Sequence, residues 1–131
     1  MSREWKGLNT AEMPVFLGYD QTERMIAEEL VREKIFLAMR QEIPFSTAVR
    51  VEKFVDQPAR RLKSISVLVI VERDSHKAML IGARGRTLKQ IGTAARLELE
   101  NIFETRVFLT MVVKVEPGWT RDPRRVAEYG I

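Results

Sequence analysis

Gly82-Ala83-Arg84-Gly85 sets two glycines three positions apart inside the most basic part of the chain. Lys77, Arg84, Arg86, Lys89 and Arg96 lie between Ser75 and Leu97, and no Asp or Glu interrupts them. The 131 residues hold 22 Lys and Arg against 18 Asp and Glu, a formal charge of +4, so this one segment accounts for the whole excess. Glycines remove side chains that would keep a ligand's backbone at a distance, and clustered cations attract phosphate. The chemistry this spacing suits is non-covalent capture of a sugar-phosphate backbone.

Other chemistry finds little support. His76 is the single histidine and there is no cysteine, which removes multi-histidine and thiolate metal sites, disulfides and Cys nucleophiles; no metal or cofactor is expected. No serine has an evident His-acid partner. Glu28-Glu29 and Glu98/Glu100 cannot be paired as acid and base, because i,i+1 and i,i+2 positions diverge on a helix; they are expected on solvated faces. The chain is therefore not expected to be an enzyme.

The elements that must position the basic segment follow from periodicity. Residues 1–19 have no sustained period and are assigned as a linker or arm. Asp20 and Glu23 have capping-box spacing, and Ile26, Ala27, Leu30, Val31, Leu37 and Ala38 predict an amphipathic helix to about Glu42, stopped by Pro44. Ala48–Val55 alternates as a strand, with Val49, Val51, Lys53 and Val55 on one face. Asp56–Arg61 connects it, as a hairpin, to the most apolar strand, Leu62–Glu72. In that strand Ile65, Val67, Val69 and Val71 share one face, and Leu68 and Ile70 the other.

Asp74 is placed to cap a short helix over Ser75–Ile81, which Gly82 ends. A second helix is predicted from Gly85 or Arg86 to about Glu104, with Leu88, Ile91, Ala95, Leu99 and Ile102 on one side. Gly92 inside it costs about 1 kcal/mol relative to Ala, which predicts a close approach to a neighbouring backbone. Arg84 and Arg86 stand at the start of this helix, where cations oppose the macrodipole by ~0.3–1 kcal/mol. A bound phosphate reverses the sign of that penalty. Val107–Val115 gives a third strand, Pro117-Gly118 breaks it, and Asp122-Pro123 starts a last helix to Tyr129. The result is an α+β layer fold. Leu68, Ile70, Phe108 and Val112 then need cover, from the Trp119–Ile131 tail or from another domain.

Over residues 20–131 the sequence resembles the C-terminal type II KH domain of the bacterial Era GTPases. The resemblance rests on Val71-Glu72-Arg73-Asp74-Ser75-His76-Lys77, Leu80-Ile81-Gly82-Ala83-Arg84-Gly85 and Leu88 through Arg96, with Asp20-Gln21-Thr22-Glu23-Arg24, Val113-Lys114-Val115, Trp119 and Tyr129-Gly130 in support. It implies a three-stranded sheet packed by helices in the order α-β-β-α-α-β over residues 20–116, and a tail with a short helix over 117–131. It also implies binding of single-stranded RNA, in the family the 3′ end of small-subunit ribosomal RNA during ribosome assembly on the small ribosomal subunit. By position, Gly82, Ala83, Arg84, Gly85 and Arg86 would meet phosphates, and Lys77 and Lys89 would extend the positive path. Met79, Leu80, Ile81, Leu88 and Ile91 would contribute to an apolar base groove, with Leu80 and Ile91 better suited to the core. Ala83 replaces the Lys common there in the family, which bears on affinity more than on mode.

Family members carry a GTPase domain in cis, but this sequence contains no G-x-x-x-x-G-K-[ST]. It is thus expected to be the KH part of such a GTPase, or else a free-standing KH protein or protein-docking module. No apolar run approaches the ~20 residues of a membrane span, so a cytoplasmic protein is expected, with peripheral inner-membrane association implied only by the family.

Overall fold

The computed structural model describes residues 19–39 and 46–129, with side chains from residue 21 onward. The elements run α1 (Tyr19–Ala38), β1 (Ala48–Gln57), β2 (Leu62–Val71), α2 (Asp74–Ile81), α3 (Arg86–Phe103), β3 (Arg106–Val115) and α4 (Pro123–Glu128). Of the arm expected over 1–19 only Tyr19 is described, as the first residue of α1; the rest of it, the Pro44 stop, the Asp20 side chain of the capping box, and Gly130 lie outside the described residues. α1 ends at Ala38, short of the expected Glu42.

The strands form one mixed sheet in the order β1-β2-β3. β1 and β2 are antiparallel, and β3 runs parallel to β2. β2 is hydrogen-bonded on both sides, and its Ile65, Val67, Val69 and Val71 are at most 1% exposed. They meet Leu30, Val31 and Ile35 of α1 and Ile91, Ala95 and Leu99 of α3 in a single core. The α+β class and the α-β-β-α-α-β order expected from sequence are those observed.

Three local expectations are corrected. β1 does not alternate regularly, because its register shifts between Val51 and Lys53. Val49 and Val51 face the core, but after the bulge Phe54, opposite Ile65, takes the inward place assigned to Lys53 and Val55. The bulge is held by α1: Glu28 accepts the Val51 N–H at 2.8 Å and Arg24 donates to the Val51 carbonyl at 3.4 Å. Glu28 is therefore a structural acceptor and not part of a solvated face. Likewise Asp74 is the first residue of α2, with Arg73 before it in extended conformation and no side-chain cap. Its carboxylate favours the helix by charge at the positive end of the dipole.

Lys63 points into the core end of β2 and is 8% exposed. Its ammonium lies 3.1 Å from Glu23 and 3.2 Å from Asp56, and within 6 Å of the Phe54 and Phe103 rings, at 5.7 and 5.5 Å from their centroids. Burial alone lowers its pKa, but the hydrogen bonds and charges of Glu23 and then Asp56 outweigh it and hold the ammonium above its ordinary range.

The outer face of the sheet is covered at one end only. Trp119 and Tyr129 pack edge to face, 5.2 Å between centroids, over Ala48 and Ile70. The Trp119 indole N–H donates to the Ser46 carbonyl at 2.8 Å. Asp122 caps α4 by accepting the Arg124 N–H at 3.0 Å, with Pro123 at the first helical position as expected. The expected cover by the tail thus holds for Ile70 and partly for Leu68. It does not extend to Phe108 and Val112, which are 59% and 58% exposed. Burial, together with a hydrogen bond to Glu116, pushes the Tyr129 phenol up to about 12.

Two outcomes are expected in urea unfolding. Lys63→Ala, which removes the buried ammonium from between Glu23 and Asp56, lowers stability by about 3–5 kcal/mol at neutral pH. On the alkaline side the native state keeps protons on Tyr129 and Lys63 that the unfolded chain releases, so stability falls as pH rises from ~10 toward 12. Tyr129→Phe makes that limb shallower; an unchanged limb would contradict the assignment.

Candidate nucleic-acid interface

α2 ends where the Gly82 N–H donates to the Ala78 carbonyl at 2.9 Å. Gly82 has φ 73° and ψ 178°, a region essentially confined to glycine. A Cβ there would lie 2.2 Å from the Thr87 hydroxyl oxygen and 3.0 Å from the Thr87 nitrogen, so packing also excludes one. Ala83–Gly85 form a single tight turn, closed by the Gly85 N–H donating to the Gly82 carbonyl at 3.1 Å. Gly85 has φ 74°, but a Cβ added to it would meet nothing within 4 Å. The two glycines therefore differ in role: Gly82 is required by its neighbours, whereas Gly85 faces open space.

Between them Arg84 adopts φ 55° and ψ 28°, the left-handed region, at a cost of ~1–2 kcal/mol for a side chain with a Cβ. It is exposed, and among the described residues no carboxylate pairs with it. α3 begins immediately afterwards at Arg86. Gly85 offers no capping side chain, and the first turn has no acidic residue. The positive end of the dipole is thus left for an anion, with Arg84, Arg86 and Lys89 exposed around it, while the Arg86 N–H itself donates to the Ala83 carbonyl.

A groove of about 340 Å³ leads from the loop between α3 and β3, lined by Gly85, Leu88, Lys89, Gly92, Thr93, Arg96, Leu109 and Met111. Gly92 is not explained by a tight backbone approach, as its sequence context suggested. A Cβ there would meet only the Met111 sulfur, at an ordinary 3.7 Å. Its absence deepens the groove instead. Arg96 is steadied by Glu100, which accepts from its guanidinium at 3.1 Å and from the Val107 N–H at 2.9 Å. Glu98 meets Lys34 of α1 at 2.7 Å. The expectation that Glu98 and Glu100 form a solvated face is corrected accordingly.

Of the residues singled out in the sequence, Gly82, Ala83, Arg84, Gly85, Arg86 and Lys89 are together at the loop, and Leu88 lines the groove. Leu80 and Ile91, 3% and 1% exposed, belong to the core, as their dual assignment anticipated. Ile81 packs against that core. Lys77 and Met79 lie on α2 and do not line the groove. Sequence reasoning missed Gly92, Thr93, Arg96, Leu109 and Met111 as lining. Arg96 was visible as a cation, but Leu109 and Met111 could be found only once β3 was known to border α3.

An open three-stranded mixed sheet with this helix order, and a glycine turn between its second and third helices, is a type II KH fold. The chain belongs to the KH domain family, whose model matches residues 42–120. It is 48% identical over 111 residues to the GTPase Era of Syntrophus aciditrophicus, covering 85% of this chain and 36% of that protein. With the GTPase Era of Geobacter metallireducens it shares 45% over 111 residues, 85% of this chain and 37% of the relative. The chain thus spans little more than a third of the relatives it matches, and corresponds to their KH part. Among solved structures, a single-residue variant of Aquifex aeolicus Era bound to GDP·AlF4⁻ superposes with a TM-score of 0.75 at 40% identity, over 82% of this chain and 36% of that one. Era in complex with MgGDPNP and nucleotides 1506–1542 of 16S ribosomal RNA gives 0.77 at 36% identity, over 94% and 40%.

The loop geometry has measurable consequences for stability. Gly82→Ala is expected to cost more than about 2 kcal/mol, and Gly85→Ala about 1 kcal/mol from its φ alone. Arg84→Gly should raise stability by up to ~1 kcal/mol by relieving the left-handed residue. Equal costs for the two alanine variants in urea unfolding would contradict the division of roles.

Proposed function

We propose that this chain binds single-stranded RNA, with its glycine loop on the phosphates and its α3–β3 groove on the bases, as the KH module of an Era-like GTPase. The observation that carries the reading is Arg84. A cation held in a strained left-handed conformation, at an uncapped and acid-free helix start, costs stability twice and has no carboxylate partner among the described residues. The charge penalty becomes a favourable contact when a phosphate occupies the turn, and the backbone strain is the cost of holding the guanidinium there. The 16S ribosomal RNA bound by the related Era supports small-subunit ribosomal RNA near its 3′ end as the target, and ribosome assembly on the small subunit as the setting. A GTPase domain in cis accords with the length of the relatives, and any nucleotide hydrolysis would belong to that domain. Among the described residues no helix is long and apolar enough to cross a membrane, which is compatible with action in the cytoplasm.

The paired substitution Arg84→Glu and Arg86→Glu should abolish retention of single-stranded RNA in filter binding while leaving the thermal midpoint unchanged or raised. Wild-type affinity should fall with salt at ~0.7 log units per log of salt for each phosphate neutralised. Undiminished binding by the folded double variant would overturn the loop assignment.

A further inference from the structure

Outside residues 75–97 the acidic and basic side chains are nearly balanced in number, but the sheet sorts them. With the bulge at Glu52 set aside, the register places no Asp or Glu at outward positions of paired strands. The outward row of β3 instead reads Phe108, Thr110, Val112 and Lys114, all exposed. Ser64 lies beside Phe108, and Ser66 lies between Lys53 and Thr110, whose hydroxyl donates to the Ser66 hydroxyl at 3.1 Å. Neither Lys53 nor Lys114 has a carboxylate partner among the described residues, whereas Arg50 is engaged by Glu28 at 3.5 Å.

An exposed aromatic, hydroxyls and unpaired lysines, on a face whose paired positions carry no carboxylate and whose one exposed acid is Glu52 in the bulge, match what single-stranded nucleic acid requires: a ring to stack on, cations for phosphates, and donors for sugar or base edges. β3 also joins this face to the groove. Leu109 and Met111 line the groove, and the residues that alternate with them, Phe108, Thr110 and Val112, face the other way across a free sheet edge. From Phe108 to Lys114 the strand offers a path of about 20 Å. The related Era holds nucleotides 1506–1542, whereas one glycine-loop clamp engages about four. A target of that length has strand left over once the loop is filled.

We infer that the open outer face of the sheet is a second single-stranded RNA platform, in which Phe108 stacks a base and Lys53 and Lys114 hold flanking phosphates. The inference rests on the RNA-binding reading of the loop. The platform lengthens the bound segment around the β3 edge and makes affinity depend on RNA length.

The test uses fluorescence anisotropy on the whole chain with two unstructured RNAs, one of about four nucleotides to match a single clamp and one of about 20 nucleotides. Phe108→Ala should weaken the longer RNA on the order of tenfold, the loss of one stacked base, and leave the short one unchanged. Lys53→Gln with Lys114→Gln should lower the salt slope for the longer RNA by ~0.7 for each phosphate no longer neutralised, again with no effect on the short one. These positions are exposed, so circular dichroism should show the variants folded. If the variants bind both RNAs as the wild type does while Arg84→Glu still abolishes binding, the platform is overturned and the loop reading stands. The same holds if they leave RNA affinity intact but weaken binding of an Era GTPase domain added in trans, which would make the face a protein-docking surface. Binding indifferent to Arg84→Glu at either length would remove the loop reading and the platform with it.

Discussion

The parallel pairing of β3 with β2, from Leu62 beside Arg106 to Val71 beside Val115, is the constraint on which the site depends. Parallel neighbours cannot be joined by a hairpin; the chain must cross one face of the sheet and return. α2, the glycine turn and α3 are that crossover, and they bury Leu80 on one side of the turn and Ile91 on the other. The turn is thus fixed at both ends by the core it helps to close. A fixed turn can hold an unfavourable residue, and Arg84 remains left-handed because its flanking helices leave the backbone no alternative.

Much of this was legible in the residues. The 3.6-residue period of Leu88, Ile91, Ala95, Leu99 and Ile102 and the two-residue period of Ile65 to Val71 gave the layers, and the charge count isolated the loop. What escaped was long-range. Nothing local marks the extra residue in β1, because the bulge is held by Glu28 and Arg24 on another element. The groove escaped for the same reason. Met111 and Gly92 are 19 residues apart in sequence and become neighbours only through the crossover. Gly92 shows the limit most clearly: its residue type stands out in a helix, but the space it leaves belongs to a groove and not to a neighbouring backbone.

The carboxylates are organised around the same division of labour. Glu23, Glu28, Glu98 and Glu100 tie α1 and α3 to each other and to the strands, each through a specific cation or backbone N–H. Negative charge is thereby used between elements, and among the described residues Arg84, Arg86 and Lys89 of the loop are left without carboxylate partners. A sequence of modest net charge can present a strongly positive surface in this way, by neutralising its acids internally.

The indole of Trp119 bonding to Ser46 joins segments 73 residues apart. Contacts of such separation carry a large loop-closure cost and form after local structure is in place. During synthesis, α1, the β1–β2 hairpin and both crossover helices can be complete while Ile70 and Ala48 still await Trp119 and Tyr129. The outer apolar face at that end is therefore the last to be sealed. Until Trp119 and Tyr129 have emerged and docked, the nascent sheet carries a hydrophobic patch over Ala48 and Ile70 that the folded domain does not, and protection of that patch falls to whatever meets the chain at the exit tunnel.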